Sequence, residues 1–248
     1  MHLQKLYGHT RKAIQKYNLI SPNDRIAVGL SGGKDSLTLL YALAGLRQFY
    51  PVPFELEAIT VDLGFGMCFD SVSALCESLQ VPYTIITTEI SEIVSARSTN
   101  NYSCSLCAKL RKGALNQQAL ALNCNKIAYA HHRDDIVDTL IMSMYYEHRL
   151  YSFAPYTYLD HTGLALIRPL IYVSEREILN FKEKYHLPVI SNLCPADGAT
   201  KRTQVRTLID SLGKTYPGLR EHLFTAIENS DIADWVNAKN RGEMEDSL

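Results

Sequence analysis

Apolar residues return along this chain in two rhythms. Short, nearly continuous apolar runs at Arg25–Leu30, Glu55–Val61, Tyr83–Thr87, Lys126–Ala130 and Ala165–Arg168 are separated by longer segments whose apolar positions recur every three or four residues. The first kind suits strands buried on both faces and the second suits amphipathic helices. Their alternation predicts an α/β fold with a parallel, doubly wound sheet flanked by helices. Ahead of it, Leu3, Leu6, Tyr7, Ile14 and Tyr17 share one face of a helix ended by Ser21-Pro22. Lys126, which opens its run, is expected to face solvent. Ser174 and Glu177 make a capping box for a helix reaching about Tyr185. From Thr200 onward the pattern reads as two helices broken at Tyr216-Pro217-Gly218, with a frayed tail from Gly242 to Asp246. Three units follow: an N-terminal helix over 1–20, a sheet domain over 21–195 and a small helical appendage over 196–248.

Ligands of doubly wound sheets gather at the carboxyl ends of the strands, which directs attention to the residues after each run. After the first comes Ser31-Gly32-Gly33-Lys34-Asp35-Ser36, followed by the crowded helical face of Leu37, Leu39, Leu40, Leu43 and Leu46. Gly32 and Gly33 let backbone N–H groups turn toward an anion, and the helix N-terminus behind them adds partial positive charge. Lys34 supplies a mobile cation, and Ser31 and Ser36 supply hydroxyl donors. Asp35 is unfavourable beside phosphate unless it organises Mg²⁺. A Walker loop is excluded because Val28 stands at its first glycine and Asp35 at its metal-binding hydroxyl; Ser31 breaks a dinucleotide fingerprint. The stretch resembles the Ser-Gly-Gly-x-Asp-Ser signature of PP-loop ATP pyrophosphatases, which cut ATP between its α and β phosphates. After two further runs stand Asp62, a nucleotide-contact candidate, and His131-His132-Arg133-Asp134-Asp135. There His131 is a nucleotide contact and Asp134 a metal ligand or base, against the plainer reading of an acidic helix start.

The 248 residues, 46% of them hydrophobic, suffice for one substantial core. No apolar run approaches a membrane span and no secretory leader is evident, so a cytoplasmic protein is expected. A formal net charge of −1 excludes a global field drawing it onto nucleic acid. A local patch would have to do so, and Lys109, Arg111 and Lys112 with Lys201, Arg202 and Arg206 are its candidates.

Cys104 and Cys107 form a Cys-x-x-Cys at the start of a helical pattern, a spacing shared by zinc, redox dithiol and iron–sulfur sites. Cys194, in Asn192-Leu193-Cys194-Pro195, is placed to fold back over the nucleotide face. Three thiolates suit a 4Fe-4S cluster with one open iron, whereas structural zinc generally takes four closed ligands. Cys76 and Cys124 read as small buried hydrophobes, and Cys68 as a fourth ligand, a sulfur carrier or neither.

The Ser31–Ser36 loop, the segment Cys104 to Gly113, His131 to Asp135, Ile167-Arg168-Pro169-Leu170 and Asn192-Leu193-Cys194 together resemble the tRNA 2-thiocytidine synthetase family. The likeness runs from about Arg25 to Tyr216. It implies a Rossmann-like, adenine nucleotide alpha hydrolase-like domain, commonly a homodimer, and a 4Fe-4S cluster on Cys104, Cys107 and Cys194. It further implies ATP and Mg²⁺ as cofactors, tRNA as partner, and a sulfur donor that is either a cysteine desulfurase or free sulfide. The implied reaction is adenylation of the cytidine C2 oxygen, then replacement of that oxygen by sulfur. Arg168 is expected to orient its strand end or contact RNA. The chain departs from the family at the short Leu63-Gly64-Phe65-Gly66-Met67, which bears on the RNA target more than on the chemistry. Three other functions stay open: an amidating ATP pyrophosphatase, a non-catalytic ATP-binding iron–sulfur sensor, and the same chemistry on another nucleoside or small molecule.

Overall fold

The computed structural model describes residues 1–97, 104–191, 193–194 and 201–245; Asn192, Pro195, Thr200 and Asp246 lie outside them. Strands β1 (Asp24–Gly29), β2 (Phe54–Asp62), β3 (Tyr83–Thr87), β4 (Lys126–Ala128), β5 (Tyr156–Leu159) and β6 (Leu164–Ile167) form one sheet in the order β3-β2-β1-β4-β6-β5. Every pair is parallel except β5 with β6. The parallel strands are those the apolar runs predict. The antiparallel edge strand β5 is not, because Tyr156-Thr157-Tyr158-Leu159 is short and only half-buried, without a continuous apolar run.

The chain leaves β1 toward β2 and β3 on one side and returns as β4 on the other. Strand order therefore reverses between β1 and β4, and a crevice opens there at the carboxyl ends. Side chains alternate across the sheet. Ile26 and Val28 of β1 join Leu37, Leu40 and Leu43 on one face, while Ala27 joins Ile59, Ile127, Leu164 and Leu166 on the other. The first face is covered by α1 (Leu3–Lys16), α2 (Lys34–Leu46), α3 (Asp70–Ser78), α6 (Arg133–Glu147) and α7 (Glu175–Lys184). The second is covered by α5 (Cys104–Ala121), through Leu115 and Ala119, with α4 (Ile90–Arg97) packed beside it. Each fully buried leucine of α2 contributes about 1.5–3 kcal/mol.

Helix α1 stops at Lys16, before the Ser21-Pro22 signal, because Asn18 takes a left-handed φ of 44°. The capping box of α7 is present, with the Glu177 N–H donating to Ser174 Oγ at 3.3 Å. Beyond it come α8 (Lys201–Thr215), α9 (Leu219–Asn229) and α10 (Ala233–Glu245). The chain breaks at Tyr216–Gly218 as expected; a second break after Asn229 makes a third helix that takes in the Gly242–Glu245 stretch expected to fray. Val205, Ile209, Phe224, Ile227, Trp235 and Ala238 of these helices enter the same core as α1 and α2. Trp235 is fully buried, edge-on to Tyr17 with ring centres 6.1 Å apart, and Glu228 accepts from Lys16 Nζ at 2.8 Å and the Tyr17 hydroxyl at 2.9 Å.

Lys126 does not face solvent. Its Nζ is buried 2.5 Å from Asp24 Oδ2 and donates to Leu19 O at 3.0 Å. Asp24 is buried too and accepts from Ser21 N at 2.6 Å and Asn125 Nδ2 at 2.7 Å. The pair ties the starts of β1 and β4 to the turn after α1, an inward use of lysine that a strand-opening position does not reveal.

Candidate active site

The Ser31–Ser36 loop joins β1 to α2 at the crevice and is laced to itself. Ser31 N–H donates to Ser36 Oγ at 3.2 Å, Ser36 Oγ donates to Gly33 O at 2.9 Å, and Gly33 N–H donates to Ser31 Oγ at 3.3 Å. Gly32 adopts φ +75°, and a Cβ there would meet Ile190 Cδ1 at 3.0 Å. The Ile190 N–H donates to Gly32 O at 3.0 Å, so the segment leading to Cys194 lies against the loop. The first turn of α2 leaves backbone N–H groups without intrahelical partners, which is what an anion needs.

Lys34 Nζ lies 3.1 Å from both Asp35 oxygens and 3.2 Å from Glu175 Oε1 at the start of α7. Burial works to lower the lysine's pKa, but Asp35 and Glu175 outweigh it and the net direction is upward. Glu175 in turn lies 3.1 Å from Arg206 of α8, and Arg206 and Arg220 reach the fully buried Asp138 at 3.0 and 2.8 Å. An ionic chain thus runs from the loop to α9.

Beside the loop is a cavity of about 660 Å³. Its β2 side is mostly apolar, with Ile59, Thr60, Val61, Leu63, Met67 and Phe69; Ser31, Gly33, Asp35 and Ser36 also line it. Its β4–β6 side carries Tyr129, His131, Asp135, Phe153 and Arg168, and α5 adds Ala108, Arg111, Lys112 and Leu115. His131 stacks on Phe153 with ring centres 4.3 Å apart. Burial, then the charges of Arg168, Arg202, His132 and Arg111, push its pKa down to about 3, so the ring is neutral.

Several expected site residues fall elsewhere. Asp134, expected as metal ligand or base, is committed to structure: Oδ2 accepts the Glu175 N–H at 2.7 Å and Oδ1 lies 3.5 Å from Arg220 Nε. Its neighbour Asp135 is the carboxylate that lines the cavity. Asp62 stands at the end of β2, but its Oδ1 accepts from Gly64 N at 3.0 Å and it does not line the cavity. Arg202 and Arg206, expected in a phosphate patch, pair with Asp135 at 3.6 and 3.5 Å. Arg111 and Lys112 face the cavity and have no ion pair among the described residues. Glu175, Ile190 and Phe153 were not singled out by sequence. Glu175 had a signal, as the acid opening the helix after Ser174; Phe153 sits in an irregular stretch without one.

The cysteines divide by environment. Burial raises the thiols of Cys76 and Cys124 to about 11, consistent with inert core residues. Cys68 is exposed between the cavity-lining Met67 and Phe69. Cys104 is exposed at the start of α5, one turn before Ala108 on the cavity side; Cys107 is buried among Ile90 and Val94; Cys194 is half-buried, four residues beyond Ile190. None of the three is in a disulfide among the described residues, and none of them lines the cavity. Among the described residues no three His, Cys, Asp or Glu side chains close around a single ion. By donor chemistry alone, three thiols suit an all-sulfur group with an open position better than a closed zinc site, and Mg²⁺ would need phosphate oxygens as well as Asp35. No described helix is long and apolar enough to cross a membrane.

Comparison with known proteins bears on this arrangement. The chain matches the PP-loop domain family over residues 5–212. It is 36% identical over 230 residues to the tRNA-cytidine(32) 2-sulfurtransferase of Geobacter sulfurreducens, covering 91% of this chain and 90% of that one. It is 38% identical over 222 residues to the enzyme of the same name from Pelobacter propionicus, covering 88% and 82%. Among solved structures it is similar to the U34-tRNA thiolase NcsA from Methanococcus maripaludis with its [4Fe-4S] cluster, at TM-score 0.73 and 26% identity over 91% of this chain and 77% of that one. The NH3-dependent NAD synthetase of Campylobacter jejuni shares the fold, at TM-score 0.51 and 17% identity over 99% and 95%.

Proposed function

The chain belongs to the PP-loop family, in the branch of the tRNA-cytidine 2-sulfurtransferases, and from that premise we propose that it uses ATP to replace the 2-oxygen of a tRNA cytidine with sulfur. What supports this reading is the Ser31–Ser36 loop lining one cavity, together with the helix that Cys104 opens, whose Ala108, Arg111 and Lys112 line the same cavity.

The C2 oxygen of cytosine is a poor leaving group and must be activated. In the proposed first step it attacks the α-phosphorus of ATP, the α–β bond breaks, and pyrophosphate departs with the bonding electrons. The Ser31–Ser36 loop holds that pyrophosphate through its backbone N–H groups and hydroxyls, Lys34 neutralises charge that grows as the bond breaks, and Asp35 would help hold a Mg²⁺ that neutralises phosphate charge. The apolar β2 side of the cavity suits the adenine ring. In the second step a sulfur nucleophile adds at C2 and the C2–O bond breaks, releasing AMP. A 4Fe-4S cluster held by Cys104, Cys107 and Cys194 would supply that sulfur chemistry at its open iron. Neutral His131 and the aromatic ring beneath it form a wall for a planar base, and an unpaired anticodon-loop base can enter where a paired one cannot.

The test is an anaerobic reaction of the purified protein with ATP, sulfide and unmodified tRNA, read by nucleotide analysis and nucleoside mass spectrometry. AMP, pyrophosphate and 2-thiocytidine are expected. ADP as the product would sink the adenylation step, and a different thionucleoside would keep the chemistry while replacing the substrate. An amidating enzyme would make AMP without any thionucleoside, and a sensor would make neither.

A further inference from the structure

Arg168, the first residue after β6, carries a charge that forms no ion pair among the described residues. It is only 6% exposed and lines the cavity. Nη1 donates to Ala154 O at 2.5 Å and to Thr157 Oγ1 at 3.2 Å, which holds the β5–β6 corner. Nε is buried with no partner, and no carboxylate pairs with the guanidinium among the described residues. Burial lowers its pKa to about 10, and the groups opposing that are the Tyr151 and Tyr129 hydroxyls, then Asp234. The guanidinium sits 5.2 Å from the centre of the Phe153 ring, whose neighbour His131 has its own Nδ1 buried and unpartnered. Arg111 faces the same cavity from α5.

Anchoring Ala154 O needs one N–H donor, not a cation. A buried cation without an acid is unfavourable unless something of opposite charge completes it. Arg202, Arg206 and Arg220 near the crevice all have carboxylates, whereas Arg111, which has none among the described residues, is exposed. Arg168 differs in being both more deeply buried and open to the cavity.

We propose that Arg168, beside the stacked His131 and Phe153, forms a second anion subsite of the cavity, separate from the Ser31–Ser36 loop and suited to a phosphoryl oxygen. Two sources share that chemistry: the phosphate of an adenosine monophosphate group after pyrophosphate has left, and the phosphodiester of the nucleotide that enters the cavity. The subsite rests on the cavity being the nucleotide site and is independent of the sulfur step.

Isothermal titration of the full chain with three probes tests it: AMP, an unmodified RNA stem-loop, and pyrophosphate as the probe of the Ser31–Ser36 loop. Arg168→Gln keeps a donor for Ala154 O and removes the charge. It is expected to weaken AMP or the stem-loop by about tenfold or more, the value of one charge-assisted bond, and to leave pyrophosphate unchanged. Arg168→Lys should recover part of the loss. A fall for AMP assigns the adenylate phosphate, and a fall for the stem-loop assigns the nucleotide backbone. Unchanged binding of both probes by Arg168→Gln overturns the subsite, as does a lysine variant no better than glutamine. If the wild-type chain binds neither ATP nor pyrophosphate, the nucleotide reading itself fails instead.

Discussion

The ammonium of Lys34 rests 3.2 Å from Glu175, a residue of a different helix that also holds Arg206. A triphosphate arriving at the loop must compete with that carboxylate for the lysine. Lys34→Ala is expected to lower AMP formation about 10²- to 10³-fold, by analogy with loss of an oxyanion donor. Its melting temperature should change little, since the side chain is partly exposed and outside the core. Glu175→Gln should lower KM for ATP while kcat holds. A raised KM would mean that Glu175 positions the lysine and does not compete for it.

Replacing Cys104, Cys107 or Cys194 by Ala should each abolish the brown absorbance of anaerobically prepared protein and its iron, expected at about four per chain. Cys76→Ala and Cys124→Ala should keep both, because burial holds those thiols protonated. Iron and sulfide analysis reads the difference; full occupancy by zinc without iron after reconstitution would reject the cluster.

His131 gives the fold an acid sensitivity whose sign is fixed. The group is held near 3 in the folded chain against an ordinary 6.5, so between those values the unfolded chain binds the extra proton. Stability is therefore full above about pH 6.5 and declines toward pH 3, with a slope of up to about 1.4 kcal/mol per pH unit from this group. His131→Phe, which keeps a ring against Phe153, should flatten that part of the urea-denaturation profile. A slope identical to wild type would show that other groups carry it.

Lys126→Met should destabilise the protein by about 3–5 kcal/mol, because it strands the buried Asp24. Adding Asp24→Asn to Lys126→Met should recover part of the loss, and chemical denaturation of the three variants measures the coupling. A Lys126→Met variant as stable as wild type would contradict the burial of this pair.

Gly32→Ala places a Cβ 3.0 Å from Ile190 at a residue with φ +75°. Pyrophosphate affinity should fall with only a modest loss of stability, because the strain is confined to one loop. Ile190→Ala combined with it should restore part of the affinity by removing the Cδ1 and Cγ1 contacts, as read by titration.

The parallel strands and the loop after β1 were legible because burial on both faces and anion binding each demand particular residues in a row. Where the sequence misled, the deciding contact was distant along the chain. Nothing near Lys126 announces Asp24, and nothing near Asp134 announces that the Glu175 backbone takes its oxygen. Arg206 carries the same charge as Arg111, yet one faces the acids of α6 and the other faces the cavity, a difference set by helix packing. The edge strand β5 was missed because an edge needs only one apolar side.

The meeting of Tyr17 with Trp235 bears on how the protein comes into being. Tyr17, just after α1, emerges from the ribosome with its ring meant for a partner made more than 200 residues later, so the growing chain must carry that apolar surface uncovered over all of that stretch. The Ser31–Ser36 loop and its strand can form before then, but the core beneath α1 closes only when α10 arrives. A nascent chain stalled short of Trp235 should consequently be recognised by chaperones and proteases as unfinished, even with its nucleotide crevice already assembled.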